Sequence, residues 1–192
     1  MNKSTEVRER IIEATIALIQ ESNGDSSEIT TRAIAEKAEV VNSLINYHFQ
    51  TKDNLITICV QRIIGQVISN FTPSIGTPQI GRERLTNVAA EVFEFLFANP
   101  AISRISILND LTVPTQDSNT ARSQRGIQEN IGNRMDEADK KILSFVLVSA
   151  MQAAFLSRAI GMECSGYDLE DSVGRRAFIS KLVDMLFYGV KA

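Results

Sequence analysis

The sequence lacks the residues that would support a disulfide-rich or metal-dependent protein. It has two cysteines, one histidine and no tryptophan in 192 residues. The two cysteines, Cys59 and Cys164, predict free thiols in a reducing compartment, so we expect a cytoplasmic protein. One histidine and two distant cysteines do not supply the ligands of a zinc site. We therefore expect no metal and no cofactor.

Long apolar runs are also missing. The N-terminus is polar and lacks the apolar core of a secretory signal. No stretch reaches the ~18 apolar residues that a membrane-spanning helix needs. The longest apolar-rich stretch, residues 142–156, is interrupted by Ser144, Ser149 and Gln152, which indicates a buried helix. We expect no membrane partner.

Positive charge is scarce. The net charge is −3, and residues 1–71 hold seven Lys and Arg against nine Asp and Glu. Nucleic-acid-binding domains usually carry a basic excess, so this balance counts against such a role. Any phosphate binding would have to depend on where a few cations lie.

The strongest pattern in the sequence is the helical spacing of its apolar residues. Apolar residues three and four apart predict about nine helices, and no alternating strand pattern occurs, so the expected fold is all-α. Prolines and glycines in residues 71–81 mark the best domain boundary. We expect an N-terminal three-helix domain (1–50), a connecting helix (51–71) and a C-terminal helical domain (72–192).

Residues 30–49 predict two short helices around a tight turn, which is the pattern of a helix-turn-helix. In such a unit the second short helix enters the major groove of DNA. Its predicted inner side is apolar, with Leu44, Ile45 and Phe49. The outer side carries groups that can hydrogen-bond to base edges and phosphates: Asn42, Ser43, Asn46, Tyr47 and His48.

The segments ITTRAIAEKA (29–38) and INYHFQTKDNL (45–55) closely resemble the DNA-binding domain of the tetracycline-repressor (TetR) family. The motif covers about 27 residues, and the flanking helices and the chain length also fit. The resemblance implies a homodimeric repressor that binds a near-palindromic operator in double-stranded DNA and is released by a small-molecule inducer. It also implies phosphate contacts by Thr31 and Arg32 on one side, and by Tyr47, His48 and Lys52 on the other.

Two residues in the turn depart from the family pattern. Glu39 replaces the usual glycine and Val41 replaces the usual serine. We expect Glu39 to occupy a backbone position that favours glycine, at a cost on the order of 1 kcal/mol. We expect Asn42 or Ser43 to cap the second short helix in place of the missing serine.

The C-terminal half predicts a helix at about 139–162 that is apolar on more than one face and must be covered on all sides. The resemblance implies that this helix and the last one form the dimer interface; the alternative is the core of a monomer. The helix at 52–70 would link the DNA to the ligand site. A set of apolar residues would line a site for an apolar or aromatic ligand, although for each residue taken singly plain core is the favoured interpretation: Phe93, Phe97, Ile107, Leu108, Met151 and Phe155. Polar contacts would come from Arg104, Asn109 or Gln152.

Two other functions stay open from the residues alone. The chain could be an interaction protein of the same fold that uses DNA as a platform for a protein partner and is not ligand-regulated. It could also be a helical enzyme with a Cys59–His48 pair. Because the sequence suggests no third group to orient that pair, we do not expect an enzyme.

Overall fold

The computed structural model describes residues 3–70, 81–131 and 135–189. Within these ranges the chain is helical and contains no strand, which confirms the all-α prediction. Of the predicted boundary at residues 71–81, residues 71–80 lie outside the described residues. The helices are α1 (Lys3–Glu21), α2 (Thr31–Lys37), α3 (Asn42–Phe49), α4 (Lys52–Asn70), α5 (Arg82–Ala98), α6 (Pro100–Thr112), α7 (Asn119–Ile131), α8 (Glu137–Leu156), α9 (Gly161–Ser165) and α10 (Ser172–Gly189).

Polar side chains cap three helices. The Thr30 hydroxyl accepts a hydrogen bond from the Ala33 N–H at 3.1 Å, and Thr51 caps α4 in the same way. The Asp136 carboxylate accepts from the Asp139 N–H at 2.8 Å. These caps satisfy amide donors that the first helical turn leaves unpaired.

The helix predicted to run to about Met162 ends earlier, at Leu156. A 3₁₀ turn (Arg158–Ile160) and α9 follow, and the segment Arg158–Ser165 that contains both is bent by 81° from α8. Gly161 is buried where a Cβ would lie 3.0 Å from the Leu169 side chain. The break thus places Gly161 against Leu169. The apolar periodicity of the sequence could not predict this contact, and so could not predict where α8 ends.

The chain divides into two compact units. The N-terminal unit comprises Met1–Ile75 and Pro100–Asn109, and the C-terminal unit comprises Gly76–Asn99 and Asp110–Ala192. The predicted division at residues 50 and 71 did not anticipate that the first ten residues of α6 group with the N-terminal unit.

The N-terminal unit has one apolar core, to which α1, α2, α3, α4 and α6 all contribute. Ile11 and Ile12 of α1, Ile45 of α3 and Leu55 of α4 are fully buried in it. Burial of each such side chain contributes about 1.5–3 kcal/mol to folding. This core therefore fixes which sides of α2 and α3 face outward.

The C-terminal unit is built from α5, α7, α8, α9 and α10. Phe93, Leu147, Phe155 and Ile179 are fully buried in this unit. Among the described residues, no single helix has the length and hydropathy needed to cross a membrane, although the bent pair α8 and Arg158–Ser165 meets both criteria together.

Gly174 in α10 tests how closely this unit is packed. A Cβ at Gly174 would lie 1.9 Å from the Asp168 carbonyl oxygen, whereas a Cβ at Gly126 in α7 would meet nothing within 4 Å. We expect Gly174→Ala to lower the free energy of unfolding by about 2 kcal/mol, because backbone must move. Gly126→Ala, the control in the same unit, should raise it by about 1 kcal/mol. Urea denaturation measures both; equal effects of the two variants would contradict the close approach.

Candidate DNA-binding site

Helices α2 and α3 meet at a turn formed by residues 38–41. The Val40 N–H donates to the Ala35 carbonyl at 2.9 Å, and the Glu39 N–H donates to the Glu36 carbonyl at 3.2 Å. Glu39 has φ of +54°, which is the left-handed region that favours glycine. The prediction of a glycine-type backbone at Glu39 is therefore confirmed.

The start of α3 differs from the prediction. Val41 is the N-cap residue, with φ of −83° and ψ of 145°, and no side chain caps the helix. The expectation that Asn42 or Ser43 would cap α3 is wrong, because both are already helical and the Val41 carbonyl accepts from the Leu44 N–H. The first amides of α3 are thus left without a side-chain cap among the described residues.

The two sides of α3 have opposite character. Ile45 and Phe49 are buried in the core of the N-terminal unit. Asn42, Ser43 and Asn46 are exposed. Packing of the inner side therefore presents a row of short hydrogen-bonding groups to the outside.

Aromatic groups extend this outer surface toward the end of α3. Tyr47 is 76% exposed, and its ring meets the edge of the half-buried His48 ring at 5.0 Å between centroids. Edge-to-face packing of this kind is favourable and restricts both rings. Tyr47 and His48 therefore lie together on the helix that carries Asn46.

The other predicted phosphate-binding residues lie before and after α3 in the sequence. Thr31, half-buried, and Arg32, exposed, begin α2. Lys52 begins α4 and is half-buried, and its Nζ donates to the Ser26 carbonyl at 2.9 Å. The sequence did not predict that the Ser26 carbonyl would hold Lys52. It indicated only that residues 23–27, with their asparagine, glycine, aspartate and serines, form a turn.

Most other cations of this unit have intramolecular partners. Lys37 pairs with Glu21 at 2.7 Å, and the Arg8 guanidinium lies over the Phe49 ring at 5.2 Å. Arg62 binds both carboxylate oxygens of Glu9, at 2.5 and 3.2 Å. That hydrogen-bonded pair lowers the pKa of Glu9 and raises that of Arg62. Besides these residues, the described outer surface carries Arg32, Lys52 and the exposed Arg10, whose guanidinium donates to the Glu39 carbonyl at 3.5 Å.

The structure does not favour a nucleophilic role for Cys59. The thiol is fully buried and donates a weak hydrogen bond to the Ile12 carbonyl, with Sγ 3.7 Å from the oxygen. Burial raises its pKa to about 12. A reactive thiol requires the opposite shift, toward the thiolate. The second cysteine, Cys164, is exposed.

The predicted ligand-binding residues fall in both units. Phe93, Phe97 and Phe155 of the C-terminal unit form a ring cluster, with centroids 5.1 Å apart for Phe93–Phe97 and 5.4 Å apart for Phe97–Phe155. Met151 of the same unit is buried. Ile107, buried, and Leu108, 38% exposed, belong to the N-terminal unit.

The Phe97 ring is covered by Arg175, whose guanidinium lies 4.7 Å from the ring centroid. The same guanidinium binds both carboxylate oxygens of Glu94, at 2.9 and 2.6 Å. These bonds raise the pKa of Arg175 above its usual value. Of the cluster, Phe97 is only half-buried.

Helices α2 and α3, joined by a tight turn and packed in one core with α1 and α4, form a helix-turn-helix, a unit that many DNA-binding proteins use. Residues 11–57 match the family model of bacterial regulatory proteins, tetR family. The matched segment contains the helix-turn-helix, so this part of the chain is a DNA-binding domain of the TetR type, and the match supports a DNA-binding transcriptional regulator. Among curated protein sequences, none matches the chain.

Three solved structures share the fold. A TetR transcriptional regulator from Rhodococcus sp. RHA1 is 17% identical, with 97% of this chain and 98% of that chain covered and a TM-score of 0.65. A tetR-family regulator from Streptomyces coelicolor is 16% identical, with 97% and 80% covered and a TM-score of 0.61. The regulator FadR from Bacillus subtilis, in complex with stearoyl-CoA, is 18% identical, with 94% and 98% covered and a TM-score of 0.56.

The left-handed backbone at Glu39 gives a direct stability test. We expect Glu39→Gly to raise the free energy of unfolding by about 0.5–1 kcal/mol, because glycine adopts this conformation without Cβ strain. Glu36→Gly, three residues earlier in α2, should instead lower it by about 1 kcal/mol. Urea denaturation of both variants measures the difference. A Glu39→Gly protein no more stable than the unchanged chain would contradict the strain.

Proposed function

We propose that the protein is a homodimeric repressor. Its two α3 helices bind a near-palindromic operator, and a small apolar or aromatic molecule releases it from DNA. The observation that carries the proposal is the outer side of α3. Its exposed amides and hydroxyl lie on a helix whose inner side is locked in the core. A two-fold dimer would present two such helices to two half-sites.

The side chains divide into two groups by their chemistry. Asn42, Ser43 and Asn46 can donate to and accept from base edges, and so would carry sequence preference. Thr31, Arg32, Tyr47, His48 and Lys52 would contact phosphates and fix the position of the duplex. Lys52 has three N–H donors and gives one to the Ser26 carbonyl, so two are left for a phosphate at the start of α4.

The shortage of cations sets the expected salt dependence. With Arg32 and Lys52 as the phosphate-binding cations, a dimer would neutralise about four phosphates, so log K should fall with log salt at a slope of about −4. A steeper slope would mean that further cations, such as the exposed Arg10 beside the turn, also reach phosphates. Affinity should therefore depend on uncharged hydrogen bonds more than is usual for DNA-binding proteins.

Alanine variants test the division into phosphate and base contacts. We expect Tyr47→Ala and Lys52→Ala to weaken binding to all duplexes, and Lys52→Ala to reduce the salt slope by about 1 per half-site. Ser43→Ala and Asn46→Ala should instead change the preference among operators. Fluorescence anisotropy with labelled duplexes measures both effects.

Lys141→Ala is the control, because Lys141 is exposed on α8 in the other unit. Circular dichroism should show all five variants to be folded. Unchanged affinity in both Tyr47→Ala and Lys52→Ala would remove the proposed phosphate contacts. A uniform loss with Asn46→Ala would mean that this residue does not select sequence.

The proposed dimer interface is supported by apolar side chains that α8 and α10 expose. Ile142 and Phe145 of α8 are 63% and 59% exposed, and Val173 and Met185 of α10 are 73% and 63% exposed. Large apolar side chains exposed on neighbouring elements are typical of protein–protein interfaces. Pairing of α8 and α10 with those of a second copy would remove them from water.

A charge at Phe145 tests the interface. We expect the unchanged chain to have twice the monomer mass of 21.2 kDa in solution, and Phe145→Glu to be a monomer with operator affinity lowered at least about tenfold, because a charge cannot be buried unpaired. Light scattering after size exclusion measures the mass. Leu111→Glu is the control, since Leu111 is 61% exposed on α6. A Phe145→Glu dimer would exclude this surface as the interface.

The proposed class of ligand is supported by the aromatic cluster around Phe97. Its rings and Met151 give an apolar, polarisable environment of the kind that small-molecule sites use. The similar FadR is in complex with stearoyl-CoA, which carries a long apolar chain. We therefore propose an apolar or aromatic effector, with Phe97 as its most accessible contact in the cluster.

Operator release tests the ligand proposal. Stearoyl-CoA, stearic acid and a panel of aromatic acids are titrated into the protein–operator complex, and we expect one of them to lower operator affinity. Phe97→Ala should raise the concentration that this compound needs by about tenfold. Phe95→Ala, two residues away on α5, is the control. A panel without any effect, or equal responses in both variants, would count against an apolar effector at this cluster.

A further inference from the structure

Val41 is an exposed apolar side chain at the start of the recognition helix α3. Its side chain is 64% exposed. Among the described side chains of residues 4–65, only Val41 and Tyr47 are large, apolar and exposed. Every other large apolar residue in that range is buried or half-buried. The two large apolar side chains that are exposed in this range therefore both lie on α3 and its cap.

The backbone holds Val41 in a defined position. Its carbonyl accepts the Leu44 N–H at 3.0 Å, and its φ and ψ are those of an extended N-cap residue. A β-branched side chain has few rotamers, so the isopropyl group has only a few directions open to it. It directly precedes Asn42 and Ser43, at the end of the recognition helix whose residues contact base edges in helix-turn-helix proteins.

An isopropyl group can neither donate nor accept a hydrogen bond, so phosphates and most base edges offer it nothing. The one apolar group that an ordinary base pair presents in the major groove is the 5-methyl group of thymine. Contact between the two removes apolar surface of both from water. Resting on the proposed DNA-binding function, we infer that Val41 contacts a thymine methyl group and selects thymine at one position of each half-site.

The inference is tested by removing the methyl group alone. An operator is selected from a random duplex pool with the unchanged protein, and each thymine is then replaced singly by deoxyuridine. We expect one position at which the replacement raises Kd about fourfold in one half-site and roughly fifteen-fold in both, the effect of burying one methyl group. In Val41→Ser the same replacement should change Kd less than about twofold.

Matched variants separate this contact from a general loss of binding. Serine is a favourable N-cap residue, so Val41→Ser adds a side-chain cap to α3 and should leave the helix folded. Val41→Ile keeps the apolar group and should keep the sensitivity to uracil. Bromodeoxyuridine, whose bromine is close to a methyl group in size, should restore affinity for the unchanged protein at the sensitive position.

The outcomes distinguish the inference from the function on which it rests. The first outcome concerns Val41 alone. If replacing each thymine by deoxyuridine changes Kd equally for the unchanged protein and for Val41→Ser, the role of Val41 is overturned while the DNA-binding function stands. A pool from which no duplex is enriched would overturn the proposed DNA-binding function, and the role of Val41 with it. Sensitivity lost in Val41→Ser and kept in Val41→Ile would support the contact.

Discussion

Burial of the inner side of α3 is the constraint on which the DNA-binding surface depends. Ile45 and Phe49 are held in a core that also contains α1, α4 and the first part of α6. A helix so fixed can expose only the opposite side, and there the sequence places amides and a hydroxyl. Loss of this packing would leave the outer residues in place along the chain but without a common surface.

Several charged side chains described in the N-terminal unit are paired within the unit. Its ion pairs join helices to one another, as Arg62 of α4 joins Glu9 of α1 and Lys37 of α2 joins Glu21. These partly exposed pairs each contribute at most about 1 kcal/mol. They also engage two cations, Arg62 and Lys37, that could otherwise attract phosphates.

Much of this arrangement could be predicted from local patterns. The spacing of Ile45 and Phe49 predicted the buried side of α3, and the absent glycine at Glu39 predicted a strained turn. Features that depend on residues distant in sequence could not be predicted. The bond from Lys52 to the Ser26 carbonyl, the end of α8 at Leu156 and the grouping of Pro100–Asn109 with the N-terminal unit are of this kind. Each is set by packing between segments, which no short window contains.

The contrast between the two cysteines has a practical consequence for the assembled protein. Air oxidation would spare Cys59, sealed between α1 and α4, and would act on Cys164, which faces solvent on α9. Two molecules joined through Cys164 would have the mass of a pair without any native interface between them. The oligomeric state should therefore be measured in a reducing agent, so that a disulfide through Cys164 is not mistaken for a native dimer.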